Sequence, residues 1–573
     1  MNIRWFERIE HVLFSHAVSI SVLLYLLTVF VFELTLVCAD NMFFSSVLHR
    51  WQGGGDEHMI HVSYLLSYPL AFFSELVPAI DFFTIYIHLC NLAAVVCLAY
   101  GVVRTNDRPG ISHYVGWLLI IVFMFRYSLI GAYPIASFAA MSGGLVLIAK
   151  SIKVTVGGGN IRLIFWGVVA FFMGCILRYD SCVGIVPFIA LGGWFAYRRR
   201  TVLSLAACFA CLVLVAICYF IQSPLSSVDY GFRHVVRLTD MNVHRMKFCD
   251  YEDDSGVDKA ALYQKAGCSD NDLSLYGGFI FQQDKCFDEE YWAKLGEIRD
   301  SGRKTFSIGR AYRLLRYSPG TRRLLLPSFV VLLLLLWRSS WKPQKGDYVI
   351  LCAFCCYALL LMRGRLNLVS SLAIMQPCLA LWSVHMPKKC CFRFGRRVMI
   401  LLMIYGAFWA LCGLPYSRAT FPSFGGRWAD PELTRRVEDE CRMHKDYTYF
   451  AEAHFWRHIA LPYSSIRSAD LKRCPNFYPY DSWQVFFPSY QASLRQRGLK
   501  SPSELLLSDK VRFILRVDNV DELDKMKGKD WLVHRLGKNF DCVRETDNIR
   551  LKLVADKKLS DGLYVVRVVR DVP

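Results

Sequence analysis

The sequence predicts an α-helical polytopic membrane protein of about eleven spans that ends in an extracytoplasmic α/β domain. Three observations lead there. Hydrophobic residues fill 54% of the 573 positions and charged residues only 20%, a balance that soluble chains of this length rarely show. Apolar runs of spanning length recur as far as Leu414. Basic clusters fall at every second connection between those runs, as the positive-inside rule requires.

The first run, Val12 to Val37, exceeds the apolar region of a signal peptide and follows Arg4 and Arg8. It reads as a retained first helix with a cytoplasmic N-terminus. Further spans are expected at Phe83–Val103, Tyr114–Leu129, Ile135–Ile148, Leu163–Leu177, Cys182–Tyr197 and Val202–Ile221. After a long polar segment come Leu324–Trp337, Tyr348–Met362, Leu366–Val384 and Val398–Leu414. The run Ile60–Leu76 is interrupted by His61, Ser63, Ser67, Pro69 and Ser74, and counting it as a span would reverse every later loop. It is read instead as helix lying along or dipping into the outer interface.

This alternation makes residues 1–414 a transmembrane domain with two large outer polar segments, 38–82 and 222–323. Residues 415–573 form the outer tail. Asp430-Pro431-Glu432 starts a helix with a capping residue, proline at the first position and an acid in the first turn. Val511–Val517 alternates as a strand before a helical Val520–Lys527, and Ile549–Val554 and Leu563–Val569 read as further strands. There is no phosphate-binding glycine loop and no solenoid repeat.

The net charge of +19 is explained by topology rather than by nucleic acid, because the basic residues lie between apolar runs. Most of the 21 cysteines sit inside those runs as small hydrophobes. Cys249, Cys268 and Cys286, then Cys441, Cys474 and Cys542, lie in polar segments without CxxC spacing. No zinc site follows, while one or two disulfides fit an oxidising compartment.

Chemistry concentrates on the outer face. Asp40 ends the first run, where apolar walls would tune a general base, although a solvated helix end is the plainer alternative. Asp56, Glu57 and His58 follow in the same loop. His58 and His61 at i, i+3 with Asp56 offer a divalent-ion set, but the pattern is not HExxH and no further ligand is specified, so no cofactor is implied beyond that open metal option. Arg178 and Asp180 flank Tyr179 in a turn between two spans; an arginine fork there suits a phosphate, and a local ion pair pinning the turn suits it equally. Arg363 and Arg365 stand on the side where basic residues are rare and call for an anionic partner, lipid or substrate. The stretch Asp229–Asp250 carries Arg233, His234, Arg237, His244 and Arg245, either a face over the same site or a solvated one.

Taken in order, Ala39-Asp40-Asn41-Met42, Gly55-Asp56-Glu57-His58-Met59-Ile60, Ile176-Leu177-Arg178-Tyr179-Asp180, Asp270-Asn271-Asp272-Leu273 with Asp284 and Asp288, Gly364-Arg365-Leu366 and Phe477-Tyr478-Pro479-Tyr480-Asp481 resemble a known succession. The chain is similar to bacterial membrane proteins of the type C (GT-C) glycosyltransferase superfamily. More closely, it resembles a group of multi-span proteins associated with surface-polysaccharide synthesis in the cell envelope. The resemblance implies an inner (plasma) membrane transferase that moves a sugar, with inversion, from a polyprenyl-phosphate donor to an extracytoplasmic glycan or lipid-linked acceptor. In that superfamily a carboxylate of the first outer loop serves as base or metal ligand, which falls on Asp40 as the catalytic residue. Beside it, the residues themselves suggest Asn41, Asp56, Glu57, His58, Arg178, Asp180, Arg363 and Arg365 as the groups holding substrate. Relatives carry two adjacent acids where this chain has Asp40 and Asn41, which favours a single base over a metal pair. The competing expectations are a polymerase or ligase of lipid-linked oligosaccharides and, ranked last, a lipid-linked sugar flippase.

Overall fold

The computed structural model describes residues 3–31, 44–45, 48, 57–106, 109–124, 132–154, 160–229, 231, 233, 235–240, 297, 345–362, 368–385, 431–451, 474–479, 488–499, 508–516, 550–560 and 563–571. They form a mostly helical body and a small sheet near the C-terminus. Asp40, Asn41, Asp56, Arg363 and Arg365, the runs Leu324–Trp337 and Val398–Leu414, and the helical Val520–Lys527 lie outside the described residues.

The helices are α1 (Ile3–Ser15), α2 (Ala17–Val31), α3 (Tyr64–Leu76), α4 (Phe82–Leu98, continued by a π-turn over Ala99–Val103), α5 (Ile111–Val122) and α6 (Tyr133–Val154). They continue as α7 (Ile161–Leu177), α8 (Val186–Arg198, entered through a 3-10 turn at Cys182–Ile185), α9 (Val202–Phe220), α10 (Gln222–Val228), α11 (Lys345–Met362) and α12 (Leu368–His385).

About eleven spans is not supported. Among the described residues, three helices are long and apolar enough to cross a membrane: Phe82–Val103, Tyr133–Lys153 and Val202–Phe220. A fourth is reached only if α1 and α2 count together, and they bend by 78°. The first expected run therefore begins inside a short charged helix bearing Glu7, Arg8 and Glu10, rather than in one straight span. The reason is length. Seventeen residues of α7 rise about 26 Å, short of the ~30 Å hydrocarbon core. The run expected over Cys182–Tyr197 spends its first turn as 3-10 helix, and the α-helix that follows, Val186–Arg198, has only 13 residues.

Helix α6 sits at the centre and packs on α4, α7 and α12. Its glycines let neighbours approach to backbone distance: a Cβ on Gly144 would stand 2.3 Å from the Gly167 carbonyl oxygen, and one on Gly174 of α7 would stand 2.4 Å from that of Ser137. Small residues at helix contacts do this wherever lipid removes the hydrophobic drive to associate. Asp81 caps α4 by accepting from the Phe83 and Thr84 N–H groups, and its other oxygen takes Ser45 Oγ at 2.7 Å. The opening segment is thereby tied to the start of α4.

Helix α3 is where the interfacial reading falls. Leu66, Ser67, Leu70 and Ser74 are buried, while Leu65, Tyr68, Phe72, Phe73 and Leu76 are exposed. Thirteen residues around Pro69 are too short to span. An exposed aromatic and leucine face on a short helix is the pattern of one lying in the headgroup boundary.

The C-terminal elements are α13 (Pro431–Met443), β1 (Thr448–Ala451), β2 (Phe477–Pro479), α14 (Pro488–Gln496), β3 (Val511–Arg516), β4 (Arg550–Ser560) and β5 (Leu563–Asp571). The sheet order is β2-β1-β3-β5-β4; β1 runs parallel to β2 and β3, and the β4–β5 hairpin closes the far edge antiparallel. A register shift between Ala555 and Lys557 sets Asp556 apart. Asp556 pairs there with Arg512 Nε at 2.5 Å and Arg567 Nε at 3.0 Å. Bulges commonly re-aim one side chain in this way.

Candidate functional site

The site is built where three sequence-distant segments meet: residues 57–64 of the opening loop, the turn after α7, and the residues that follow α10. Backbone bonds fix the first two together. Ser63 N–H donates to the Ile176 carbonyl at 2.9 Å, and Tyr179 N–H donates to the His61 carbonyl at 3.2 Å. His61 holds a left-handed φ of +67°, a conformation that costs a non-glycine residue energy and that persists here under these tertiary contacts.

The side chains follow from that clamp. His61 Nδ1 lies 3.1 Å from Asp180 Oδ2, and Arg178 Nε lies 3.2 Å from Asp180 Oδ1. Arg178 also donates to Ser181 Oγ at 2.7 Å and to Tyr133 Oη at 3.2 Å, with its guanidinium 5.2 Å from the Tyr133 ring centroid. Burial alone would raise the Asp180 carboxyl, but the Arg178 and His61 charges, with hydrogen bonds from His61 and Ser181, outweigh it. The group is held below the ordinary carboxylate range. The turn therefore does contain the local ion pair, with Arg178 and Asp180 both largely withdrawn from solvent.

A second imidazole–carboxylate pair lies beside it. His58 Nε2 sits 3.0 Å from Asp229 Oδ2, and Asp229 Oδ1 accepts the Gly231 N–H at 2.9 Å. Gly231 is required by close approach: a Cβ there would fall 2.5 Å from the His58 ring. Tyr64 stands beside the second pair, close enough to feel the charges of both Asp229 and Glu57. Tyr179 is hydrogen-bonded by Thr239 and feels Asp240, so the helical stretch 235–240 also packs on the turn.

Of the residues singled out from sequence, the structure brings together Glu57, His58, Arg178 and Asp180. His58 and His61 turn to different carboxylates rather than to one ion, and among the described residues no group of three metal-ligating side chains is assembled. Asp229 and Tyr133 were not anticipated. Asp229 opens a stretch whose basic residues drew notice, but an acid at its edge carries no signal of a partner 171 positions away.

Comparison with known proteins adds no relative: no family model and no curated protein matches the chain.

Proposed function

We propose that the chain is an integral-membrane inverting glycosyltransferase, taking a sugar from a polyprenyl-phosphate donor and passing it to an extracytoplasmic glycan or lipid-linked acceptor. One observation carries the reading: Arg178, two imidazole–carboxylate pairs and Tyr133 converge at the ends of apolar helices. Ionisable groups at such depth are expensive to keep unless they are paired or used. Polar recognition at a helix end beside apolar surfaces fits a substrate with a charged head and a lipid tail.

In this reading Asp40 removes the acceptor hydroxyl proton as the acceptor oxygen attacks the anomeric carbon. The bond to the lipid phosphate breaks on the opposite face, inverting the configuration. Arg178, with Arg365, offsets the negative charge gathering on the departing phosphate, the kind of preorganised stabilisation that dominates many rate enhancements. Asp180 and Ser181 hold the guanidinium in place, and His58 with Asp229 positions the acceptor. Glu57, Asp56, Asn41 and Arg363 complete the substrate contacts. The exposed face of α3 rests in the interface and guides the prenyl chain to the site.

Purified protein in proteoliposomes, given polyprenyl-phosphate-linked sugars and an acceptor, should release polyprenyl phosphate and give one product of inverted anomeric configuration by NMR. Retained configuration, or donor consumed without a new glycosidic bond, would sink this assignment. Block transfer of preassembled oligosaccharide would point to a polymerase or ligase instead.

A further inference from the structure

The C-terminal sheet holds a pair of thiols whose surroundings suit a covalent link. Cys441 lies in the last turn of α13, and Cys474 begins the turn that enters β2, the three-residue edge strand. The two side chains are hydrogen-bonded to each other, and both are buried, 1% and 3% exposed.

Their alignment does not depend on the sulfurs. Asn476 Nδ2 donates to the carbonyls of Cys441, His444 and Tyr447 at 3.0, 3.2 and 3.0 Å, pinning the turn before β2 to the end of α13. The Phe477 N–H closes that turn on the Cys474 carbonyl at 3.1 Å. Cys474 Sγ also reaches the Glu438 carbonyl at 3.9 Å. Backbone anchors on both sides therefore fix where the thiols stand before any S–S bond exists.

We propose that Cys441 and Cys474 form a disulfide in the mature protein, stapling edge strand β2 to α13. This rests on the proposed extracytoplasmic placement of the domain, since disulfides persist in oxidising compartments. In the closing step two S–H bonds break and one S–S bond forms. The two protons and two electrons pass to a thiol:disulfide oxidant of that compartment, whose S–S bond breaks to give two thiols. Burial sets the order of events: the pair closes while the domain folds, and the finished bond is shielded from exchange. Left reduced, Cys441 would react slowly, because its bond to Cys474, burial and the nearby Glu440 and Glu438 carboxylates all push its thiol well above the ordinary value.

The test uses the full chain. Membranes are quenched in acid, denatured and alkylated with N-ethylmaleimide without reductant, then digested for mass spectrometry. The expected result is one linked Cys441–Cys474 species with neither sulfur alkylated, and alkylation of both after reduction. Both cysteines labelled without reductant, or either one linked to Cys542 instead, overturns the proposal. In the first of those cases, treating the purified protein with diamide separates the causes. Closure under diamide means that the pairing geometry stands and the compartment was misread; no closure means that the geometry itself is wrong. A second readout does not depend on cysteine variants folding well: reductant should lower the melting temperature of the wild-type protein and leave that of a Cys441→Ser/Cys474→Ser double variant unchanged.

Discussion

His61 Nδ1 and Asp180 Oδ2 stand 3.1 Å apart, and the backbones of the same two segments are joined by Tyr179 N–H donating to the His61 carbonyl. The opening loop and the turn after α7 thus meet through one carboxylate that also holds Arg178. Removing that charge leaves the largely buried Arg178 guanidinium without compensation and the His61 imidazole without its carboxylate partner. Asp180→Asn should destabilise the detergent-solubilised protein by about 3 kcal/mol at neutral pH, read from thermal or denaturant unfolding.

The pH dependence has a definite sign. The Asp180 carboxyl is lower in the folded protein than in the unfolded chain, so its contribution is fully present above the unfolded value of about 4 and is lost as pH falls towards the folded one. Unfolding curves of wild type and Asp180→Asn should therefore converge below about pH 4. A gap that widened on acidification would contradict the assigned direction.

The His58–Asp229 pair can be tested through the glycine beside it. Gly231→Ala would place a methyl group 2.5 Å from the imidazole and push it off Asp229. Transfer activity should fall to the level of Asp229→Asn. In a His58→Ala background the same glycine change should cost almost nothing further, a coupling that a double-mutant cycle measures directly.

How much of this was legible in the sequence depended on range. The run Phe83–Val103 was plain because a long stretch without Asp, Glu, Lys or Arg and mostly apolar has few alternatives to a spanning helix, and the helix found there is Phe82–Val103. Arg178 and Asp180 were visible as a pair because a single turn joins them. Strands β1 and β2 were not, because four and three fully buried residues show no alternation of inward and outward faces. The meeting of His58 with Asp229 was out of reach for a different reason: a contact spanning most of the helical body is set by packing and leaves no local pattern. Among the described residues fewer spans stand than expected because apolar composition was read as length, whereas turns such as Cys182–Ile185 shorten the helices themselves.

Packing at the centre of the helical body gives a further test. Gly144→Ala directs a Cβ to within 2.3 Å of the Gly167 carbonyl, backbone that has no rotamer with which to yield. A loss of about 1–3 kcal/mol is expected, read as a lowered melting temperature. Gly184→Ala meets nothing within 4 Å and should change stability by no more than about 0.5 kcal/mol.

Against the C-terminal sheet, buried Glu440 of α13 accepts from Tyr449 Oη at 3.0 Å and from Lys557 Nζ at 2.5 Å. Lys557 is half exposed and recovers water when the carboxylate is removed, whereas the Tyr449 hydroxyl does not. Glu440→Leu should thus cost about 2 kcal/mol by denaturant unfolding, most of it from the orphaned hydroxyl. Adding Tyr449→Phe should restore part of that loss.

The most direct measurement of the central claim is sugar transfer from a radiolabelled polyprenyl-phosphate donor in membranes carrying Asp40→Asn at wild-type abundance. Loss of the general base predicts a fall in transfer rate of roughly 10²–10⁴-fold with donor binding retained. Undiminished incorporation by the Asp40→Asn protein would contradict the account.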